Sequence, residues 1–265
     1  MKGTVMPTEN FRRHLRTIAG GLILLSAAGT APDQAPFAQD MPDWGYNGSR
    51  GPETWGALSP AYSQCRDGRS QSPINIEGTD PVLMHALETD YTVVPLEVVN
   101  SGKGMHMAAS GVLRVGEKSF RLERVDFHTP SEHRILGRLF EMEVQFHHRG
   151  SDGSLATVSV LVEPGRASAA ADEIWPHLPL EPGQRNRPEA VAVNARDLMP
   201  SDKHYYRYMG SQTVPPCTEG VHWYVLKTPL TLSSVQISAA KALIGTNSRP
   251  VQARNNRMIL DAEAP

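Results

Sequence analysis

Short segments in which apolar and polar residues alternate, each ended by a turn signal, constrain the fold of this 265-residue chain most strongly. Successive strand residues point to opposite faces, so such alternation is typical of a half-buried β-strand. The 22 Gly and 21 Pro residues favour many turns over long helices. We predict strands over residues 97–99, 111–115, 120–128, 141–148, 155–162 and 221–226.

Helical signals in the sequence are short. We predict helices over 81–88, 167–174 and 233–244, the last beginning at Ser233 and ending before Gly245. The sequence shows neither an internal repeat nor a Gly/Ser-rich linker that would divide it into two folded parts. It therefore predicts a single, mostly β domain over residues 39–265, with short helices at its periphery.

Residues 1–38 have the order of a secretory signal peptide and cleavage zone. Basic residues, including Arg12 and Arg13, precede the apolar stretch 17–28, which small and Pro-rich residues follow. The alternative is an uncleaved membrane anchor, although the apolar stretch is shorter than the ~20 residues that span a bilayer. The paired arginines also leave twin-Arg export open beside Sec export. We expect a periplasmic or secreted protein without a membrane span in the mature chain.

The charge balance bears on the class of partner. Lys and Arg number 26 against 28 Asp and Glu, a formal net charge of -2, and no basic run stands out. Because non-specific binding to nucleic acid depends on clustered positive charge, we expect no nucleic-acid partner.

Two cysteines lie in the predicted mature domain, Cys65 and Cys217. If they pair, only one connectivity exists, and an oxidising compartment favours that pairing. Two buried free thiols are the alternative that the sequence leaves open.

Two of the predicted strands carry polar side chains on one face. Val125 and Phe127 share the apolar face of the first strand, as Val144 and Phe146 do in the second. The opposite faces then carry Arg124, Asp126, His128, Glu143, Gln145 and His147. Neighbouring strands would make one cluster of carboxylate, amide and imidazole groups, whereas a solvated sheet face is the plainer alternative.

Several motifs occur in order from about Trp44 to the C-terminus. They are Asp43-Trp44-Gly45-Tyr46, Gly51-Pro52-Glu53-Thr54-Trp55, Gln71-Ser72-Pro73-Ile74-Asn75-Ile76, Phe127-His128-Thr129-Pro130-Ser131-Glu132-His133, Thr213 to Trp223, and Asn247-Ser248-Arg249-Pro250-Val251-Gln252. Together they resemble the α-class carbonic anhydrases. The resemblance implies that family's single-domain fold, built on a large, mostly antiparallel twisted sheet. It also implies that Cys65 and Cys217 match the disulfide of exported bacterial members.

The resemblance implies a metal site with two changed ligands. In the family, three histidines hold a zinc ion whose bound water becomes the nucleophile; carbonic anhydrase is the standard example of this chemistry. Here the three positions are Asp126, His128 and Gln145. An anionic aspartate makes the bound water less acidic, and an amide oxygen is a weak zinc ligand. The site thus resembles the acatalytic carbonic-anhydrase-related members, with zinc weakly bound or absent.

Other family positions are kept. The resemblance implies that Thr213 and Glu132 orient the attacking hydroxide and that Tyr46 orders site water. Residues that support the ligands correspond to Arg124, Glu143 and Asn247. Arg124 replaces the usual glutamine, and on the same strand face as Asp126 it is placed to form an ion pair with that carboxylate.

The proton exit and the pocket wall are altered. Lys103 stands where fast family members place a shuttle histidine, and a lysine that stays charged at neutral pH relays protons poorly. His106 can substitute, although a satisfied surface histidine is the alternative. The family's apolar wall for carbon dioxide is represented by His147, Thr157 and Gln212. His147 also suggests a surrogate metal site with Asp126 and His128.

Three hypotheses for function follow. The preferred one is an exported family member that is inactive or very weak in carbon dioxide hydration and uses its cleft for binding an unidentified partner. The second is an active zinc enzyme with non-standard ligands that converts carbon dioxide and water to bicarbonate. A third, an enzyme with a different reaction, rests only on the polar cleft.

Overall fold

The computed structural model describes residues 43–263, and a 13-stranded sheet is its main element. The strands are β1 (Asn75–Ile76), β2 (Asp80–Leu83), β3 (Leu87–Tyr91), β4 (Val93–Pro95), β5 (Val98–Asn100), β6 (Met105–Ala108), β7 (Gly111–Val115), β8 (Lys118–His128), β9 (Arg134–Ile135), β10 (Arg138–Leu139), β11 (Met142–Gly150), β12 (Leu155–Pro164), β13 (Arg185–Asn186), β14 (Ala192–Asn194), β15 (Tyr205–Ser211), β16 (Glu219–Leu226), β17 (Leu230–Leu232) and β18 (Leu260–Glu263). The α-helices are α1 (Trp55–Leu58), α2 (Gln64–Asp67), α3 (Ala169–Ile174) and α4 (Ser234–Ile244). Short 3₁₀ helices cover Gly48–Arg50, Pro60–Tyr62, Trp175–His177 and Ala195–Leu198.

The main sheet is mixed but mostly antiparallel. Its strand order is β13-β5-β6-β8-β11-β12-β16-β15-β18-β2, with β17 beside β12 and the β3–β7 pair joined to β8. Parallel pairing occurs where β12 meets β16 and β17, and where β18 meets β2. The predicted fold class, mostly β with short helices around a large central sheet, is confirmed.

Strands β8 and β11 lie at the centre of the sheet, where burial is greatest. Val125, Phe127, Val144 and Phe146 are at most 1% exposed and belong to the main hydrophobic core, as the alternation predicts. The two strands pair antiparallel, so their polar residues also share one face. Every predicted strand is present: β7 has the predicted bounds, and the bounds of the other five are shifted or extended by one to two residues.

The helix predicted over 81–88 is wrong. This stretch forms β2 and the start of β3, and Pro81 lies in β2, which pairs with β18 at one end of the sheet. An inner strand donates N–H groups to neighbouring strands on both sides. Proline has no N–H to donate, so it is accommodated at a sheet edge. Pairing with a distant strand outweighs the local helical pattern here. The other two helices are present as α3 and α4.

Cys65 and Cys217 form the predicted disulfide, which joins residues 152 positions apart. It packs against Trp55 and Tyr62 in a separate small core beside the N-terminal part of the domain. The bridge therefore ties that part to the segment that precedes β16.

The predicted signal segment, residues 1–38, lies outside the described residues. Within residues 43–263, no helix combines the length and apolar character that crossing a membrane requires.

Candidate functional site

Three neighbouring strands bring the predicted polar residues together. Asp126 on β8 lies directly opposite His106 on β6 and Gln145 on β11. The adjacent rows place Arg124 opposite His147, and His128 opposite Glu143. The predicted cluster is therefore formed, but its face is buried rather than solvated, since Asp126 is 7% exposed and Gln145 is 0% exposed.

Asp126 is surrounded by cationic and imidazole groups. Nε of Arg124 donates to both carboxylate oxygens at 3.0 Å, which forms the ion pair predicted from the sequence. Nδ1 of His106 lies 2.8 Å from Oδ1. Nε2 of His147 lies 3.1 Å from Oδ2 without an aligned hydrogen bond. Burial favours the protonated acid, but His147, His106 and Arg124 outweigh it and hold the pKa of Asp126 well below its ordinary value.

His128 is held by the loop that follows α4. Its Nδ1 donates to the backbone carbonyl of Asn247 at 2.9 Å, and the Asn247 side chain anchors the same strand end through Thr129 and Phe127. Burial lowers the pKa of His128, but the nearby Glu132 carboxylate and the Asn247 carbonyl raise it above the ordinary value. The Asn247 backbone thus fixes the orientation of the His128 ring.

The Gln145 amide is oriented by two buried carboxylates. Its Nε2 donates to Glu132 at 2.8 Å and to Glu143 at 2.9 Å. Because both amide hydrogens are used, Oε1 is fixed on the opposite side, where it has no hydrogen-bond partner among residues 43–263. This buried oxygen is the one side-chain acceptor of Gln145, and it carries no hydrogen bond within the described residues.

Glu143 is the most extensively bonded carboxylate of the site. It accepts hydrogen bonds from the backbone of Glu132 and His133, the His133 ring, Gln145 and Ser159. Burial raises the pKa of Glu143, but the charge and hydrogen bonds of His133 outweigh burial and lower it to about 2.

The structure gives separate surroundings to Glu132 and Thr213, the pair that the resemblance assigns to orienting a hydroxide. The Glu132 carboxylate accepts from the backbone N–H of Arg249 at 2.9 Å and from Gln145. Thr213 is buried, with 4% of its surface exposed, and no hydrogen bond joins it to Glu132 in the described part of the chain. Each oxygen of Glu132 thus accepts one hydrogen bond, from Arg249 or from Gln145.

A cleft of about 560 Å³ opens beside this network. Seven predicted site residues line it: Tyr46, Lys103, His106, Arg124, Asp126, His128 and Asn247. Lys103 lies 2.7 Å from the Asp43 carboxylate and 4.9 Å from the centre of the Trp44 ring, so it is anchored at the rim. Burial raises the pKa of Tyr46, as do the charges of Glu132 and Asp126.

The predicted pocket-wall residues lie together elsewhere. His147, Thr157 and Gln212 line a separate, smaller recess, and Thr157 Oγ1 is 3.3 Å from Nδ1 of His147. Burial lowers the pKa of His147, although Asp126 opposes this shift. None of the three is among the residues that line the 560 Å³ cleft.

The metal-binding potential of the site depends on how its His, Asp and Glu side chains within residues 43–263 are arranged. No three of them are arranged to hold a metal ion. The surrogate set of Asp126, His128 and His147 is therefore not assembled here, since Asp126 is engaged by Arg124 and His106.

Arg249 and Ser101 are site residues that the sequence reasoning missed. The buried Arg249 guanidinium bonds Gln71 and the carbonyls of Ser72 and Cys65, which places the disulfide region against Glu132. Arg249 lies in a motif that supports the resemblance, but nothing in its neighbours along the chain indicates burial. Ser101 contacts His106, a contact that depends on the turn before β6.

Known proteins are similar to this chain in sequence. Residues 50–263 match the family described as eukaryotic-type carbonic anhydrase. A carbonic anhydrase from Nostoc sp. is 33% identical over 97% of this chain and 100% of its own length. Dioscorin DB3S from Dioscorea polystachya is 32% identical over 89% of this chain and 90% of its own length.

Two solved structures are similar as well. The α-carbonic anhydrase from Thermovibrio ammonificans in complex with sulfanilamide has a TM-score of 0.79 and 36% identity, covering 83% of this chain and 99% of its own. Dioscorin complexed with ascorbate has a TM-score of 0.78 and 32% identity, covering 84% and 99%. The motifs, the sheet and these similarities agree: the chain belongs to the α-carbonic anhydrase family.

Proposed function

We propose that this chain is a member of the α-carbonic anhydrase family whose zinc site has been replaced by a hydrogen-bonded polar network, with carbon dioxide hydration lost or very weak. One observation carries the proposal: the Asp126 carboxylate, at the first ligand position, is paired through both oxygens with Arg124. A carboxylate held this way is not available to a metal without breaking a charge-assisted hydrogen bond.

The donor set does not fit a catalytic zinc ion. Arg124 places a positive charge beside the position that zinc would take. Nδ1 of His106 adds a further hydrogen bond to the Asp126 carboxylate. Gln145 offers only its amide oxygen, which binds zinc weakly compared with imidazole nitrogen. His128 is the single family ligand that is kept, and one histidine is insufficient for a site of this kind.

The second candidate function is an active zinc enzyme with non-standard ligands. The retained Tyr46, Glu132 and Thr213 support it, as does the unpartnered Oε1 of Gln145. The named bacterial relatives are carbonic anhydrases. Against it, the Glu132 carboxylate accepts from Gln145 and from the Arg249 backbone, and no hydrogen bond joins it to Thr213 among residues 43–263.

A role for the cleft in binding follows from its size and lining. At about 560 Å³, with cationic, imidazole and aromatic side chains, it accommodates a small polar organic molecule. The similar dioscorin is named in complex with ascorbate, which supports this class of ligand for the same fold. We do not assign ascorbate itself to this chain.

We further propose that the protein is exported to the periplasm or secreted, with residues 1–38 as its signal peptide and residues 39–265 as the mature domain. The order of charged, apolar and small residues supports this proposal. The Cys65–Cys217 disulfide is also consistent with an oxidising compartment.

The proposal is tested on the native protein purified without added zinc. We expect less than about one-tenth of an equivalent of bound metal by elemental analysis. In stopped flow we expect no sulfonamide-inhibitable carbon dioxide hydration, even after zinc is added. One equivalent of bound zinc with inhibitable turnover contradicts the proposal and supports the second candidate.

Restoring the ligands provides a second prediction. We expect Arg124→Gln/Asp126→His/Gln145→His to bind zinc and to gain sulfonamide-inhibitable hydration. The matched control, Asp126→His/Gln145→His, keeps Arg124 and should bind zinc about tenfold or more weakly, because an unpaired guanidinium then faces the metal. Zinc titration by calorimetry and stopped flow compare the two variants. Equal affinities would show that Arg124 does not oppose the metal.

A further inference from the structure

Three side chains at the cleft form a continuous hydrogen-bonded chain. Oγ of Ser101 lies 2.9 Å from Nε2 of His106, and Nδ1 of His106 lies 2.8 Å from Oδ1 of Asp126. All three residues line the 560 Å³ cleft. A hydroxyl, an imidazole and a carboxylate connected in this order are the parts that nucleophilic hydrolases use.

The backbone holds this arrangement in place. His106 and Asp126 are direct cross-strand partners on β6 and β8. Ser101 begins the tight turn between β5 and β6, which is closed by the hydrogen bond from its N–H to the Gly104 carbonyl. Gly102 adopts φ of 76° in that turn, a conformation that glycine adopts without strain. Ser101 and His106 thus lie on one hairpin, and Asp126 lies on the strand beside it.

Access to the three groups increases from the carboxylate outward. The Asp126 side chain is 10% exposed, the His106 side chain is 35% exposed, and Ser101 is exposed. A buried carboxylate that orients the base and an accessible hydroxyl that meets the substrate are two of the features that acyl transfer requires.

We propose that Ser101 is the nucleophile of a metal-independent ester hydrolase site, with His106 as its general base and Asp126 as the positioning residue. The proposal rests on the proposed function, because it requires that Asp126 is not a metal ligand. The substrate class is esters of small carboxylic acids. Trp44, Val99 and Val214 supply apolar cleft surface for such a molecule.

Hydrogen-bond directions allow this role. Asp126 accepts a hydrogen bond from the N–H at Nδ1 of His106, which leaves Nε2 of the neutral ring as a hydrogen-bond acceptor. The Lys103 backbone N–H donates to Ser101 Oγ at 3.2 Å. The single hydroxyl hydrogen is therefore divided between His106 and the competing Gly104 carbonyl, at 3.0 Å. Activation requires the hydroxyl to rotate from Gly104 to His106.

The reaction consists of two balanced steps. Ser101 Oγ forms a bond to the ester carbonyl carbon while its proton passes to Nε2 of His106, and the bond to the alcohol oxygen then breaks as His106 returns that proton to the alcohol. Water attacks the resulting acyl-serine in the same way, which releases the carboxylic acid and restores the Ser101 hydroxyl. The cationic Lys103 and Arg124 line the same cleft, where they favour the negative charge that develops on the carbonyl oxygen.

The test uses chelator-treated native protein whose metal content has been measured. A fluorophosphonate probe followed by peptide mapping should show the label on Ser101. Hydrolysis of p-nitrophenyl acetate should continue without metal. We expect Ser101→Ala and His106→Gln each to reduce the rate about a hundredfold, since general-base catalysis contributes roughly that factor or more. The matched control Ser110→Ala removes an exposed hydroxyl outside the cleft and should leave the rate unchanged.

The outcomes separate this inference from the proposed function. Absence of label at Ser101 in the metal-free native protein overturns the inference, and so does a rate that Ser101→Ala or His106→Gln leaves unchanged. The mapping needs no variant, so a variant that fails to fold does not affect it. If the native protein instead carries zinc and loses ester hydrolysis with the metal, the proposed function itself has failed.

Discussion

At the scale of single residues, the site is organised by buried charge. Asp126 and Glu143 are both ionised carboxylates in the sheet interior, and each is compensated by hydrogen bonds and cationic groups. Gln145 lies between Glu132 and Glu143 and donates to both. An imidazole has two nitrogens on opposite sides and could not donate to both carboxylates while ligating a metal. Gln145 therefore suits a metal-free network better than a metal site.

The Glu143 carboxylate predicts a pH-dependent contribution to stability. Its pKa is about 2 in the folded protein and 4.5 as the ordinary value. Because its pKa is lower in the folded protein, ionised Glu143 stabilises the fold by about 3 kcal/mol at pH values above about 4.5. This contribution is lost as the pH falls from about 4.5 towards 2. In urea unfolding, the Glu143→Gln variant should have a lower free energy of unfolding than the native protein at pH 7. The difference between the two free energies should become smaller below about pH 4.5.

Glu163→Gln is the matched control for this experiment. Glu163 pairs with Arg138 at the surface, where its side chain is 30% exposed and the Arg138 side chain 59% exposed. Exposed pairs contribute little to stability, so this variant should track the native protein at every pH. A Glu143→Gln difference that stays constant down to pH 3 would contradict the buried-charge argument.

At the scale of elements, helix α4 shows how a local signal and a tertiary contact combine. Ser233 and Gln236 form a capping box, in which each side chain accepts from the other's backbone N–H. The Gln236 amide also bonds the Ser168 backbone and the Asp172 carboxylate of α3. The start of α4 at Ser233 could be predicted from sequence, whereas its connection to α3 could not, since those partners are more than 60 residues away.

Gln236 should therefore matter more than the cap alone. We expect Ser233→Ala to lower the free energy of unfolding by about 1 kcal/mol, the usual cost of a lost N-cap. We expect Gln236→Ala to cost about 2 kcal/mol, because it also removes the hydrogen bonds to the partly buried Ser168 backbone and to Asp172. Chemical denaturation of both variants measures the difference. Equal losses would mean that the link between α3 and α4 contributes nothing.

At the scale of the whole molecule, the disulfide connects parts that the sheet does not. Cys65 lies in α2, and Cys217 lies in the loop before β16, which is a strand of the main sheet. Arg249 bonds the Cys65 carbonyl and, through its backbone, the Glu132 carboxylate. The bridge thus stabilises the aromatic cluster of Trp44, Tyr46 and Trp55 beside the cleft.

Removal of the disulfide should destabilise the folded domain. We expect Cys65→Ala/Cys217→Ala to unfold at lower urea concentration, with a loss of about 2–5 kcal/mol, because the unfolded chain regains conformational freedom. Native protein treated with reductant should show the same loss and serves as the comparison. If both match the oxidised protein, the bridge contributes nothing to stability.

The local pattern was sufficient to predict the strands at the centre of the sheet and the residues that share their polar face. Alternation assigns Asp126 and Gln145 to one face because side-chain direction along a strand depends only on neighbouring residues. Which groups those side chains contact was decided by the tertiary structure. The pairing of β6 with β8 placed His106 against Asp126, and the turn before β6 placed Ser101 against His106. Hydrogen-bond partners and burial depend on strand register and on residues distant in the chain, and periodicity within one strand carries no information about either.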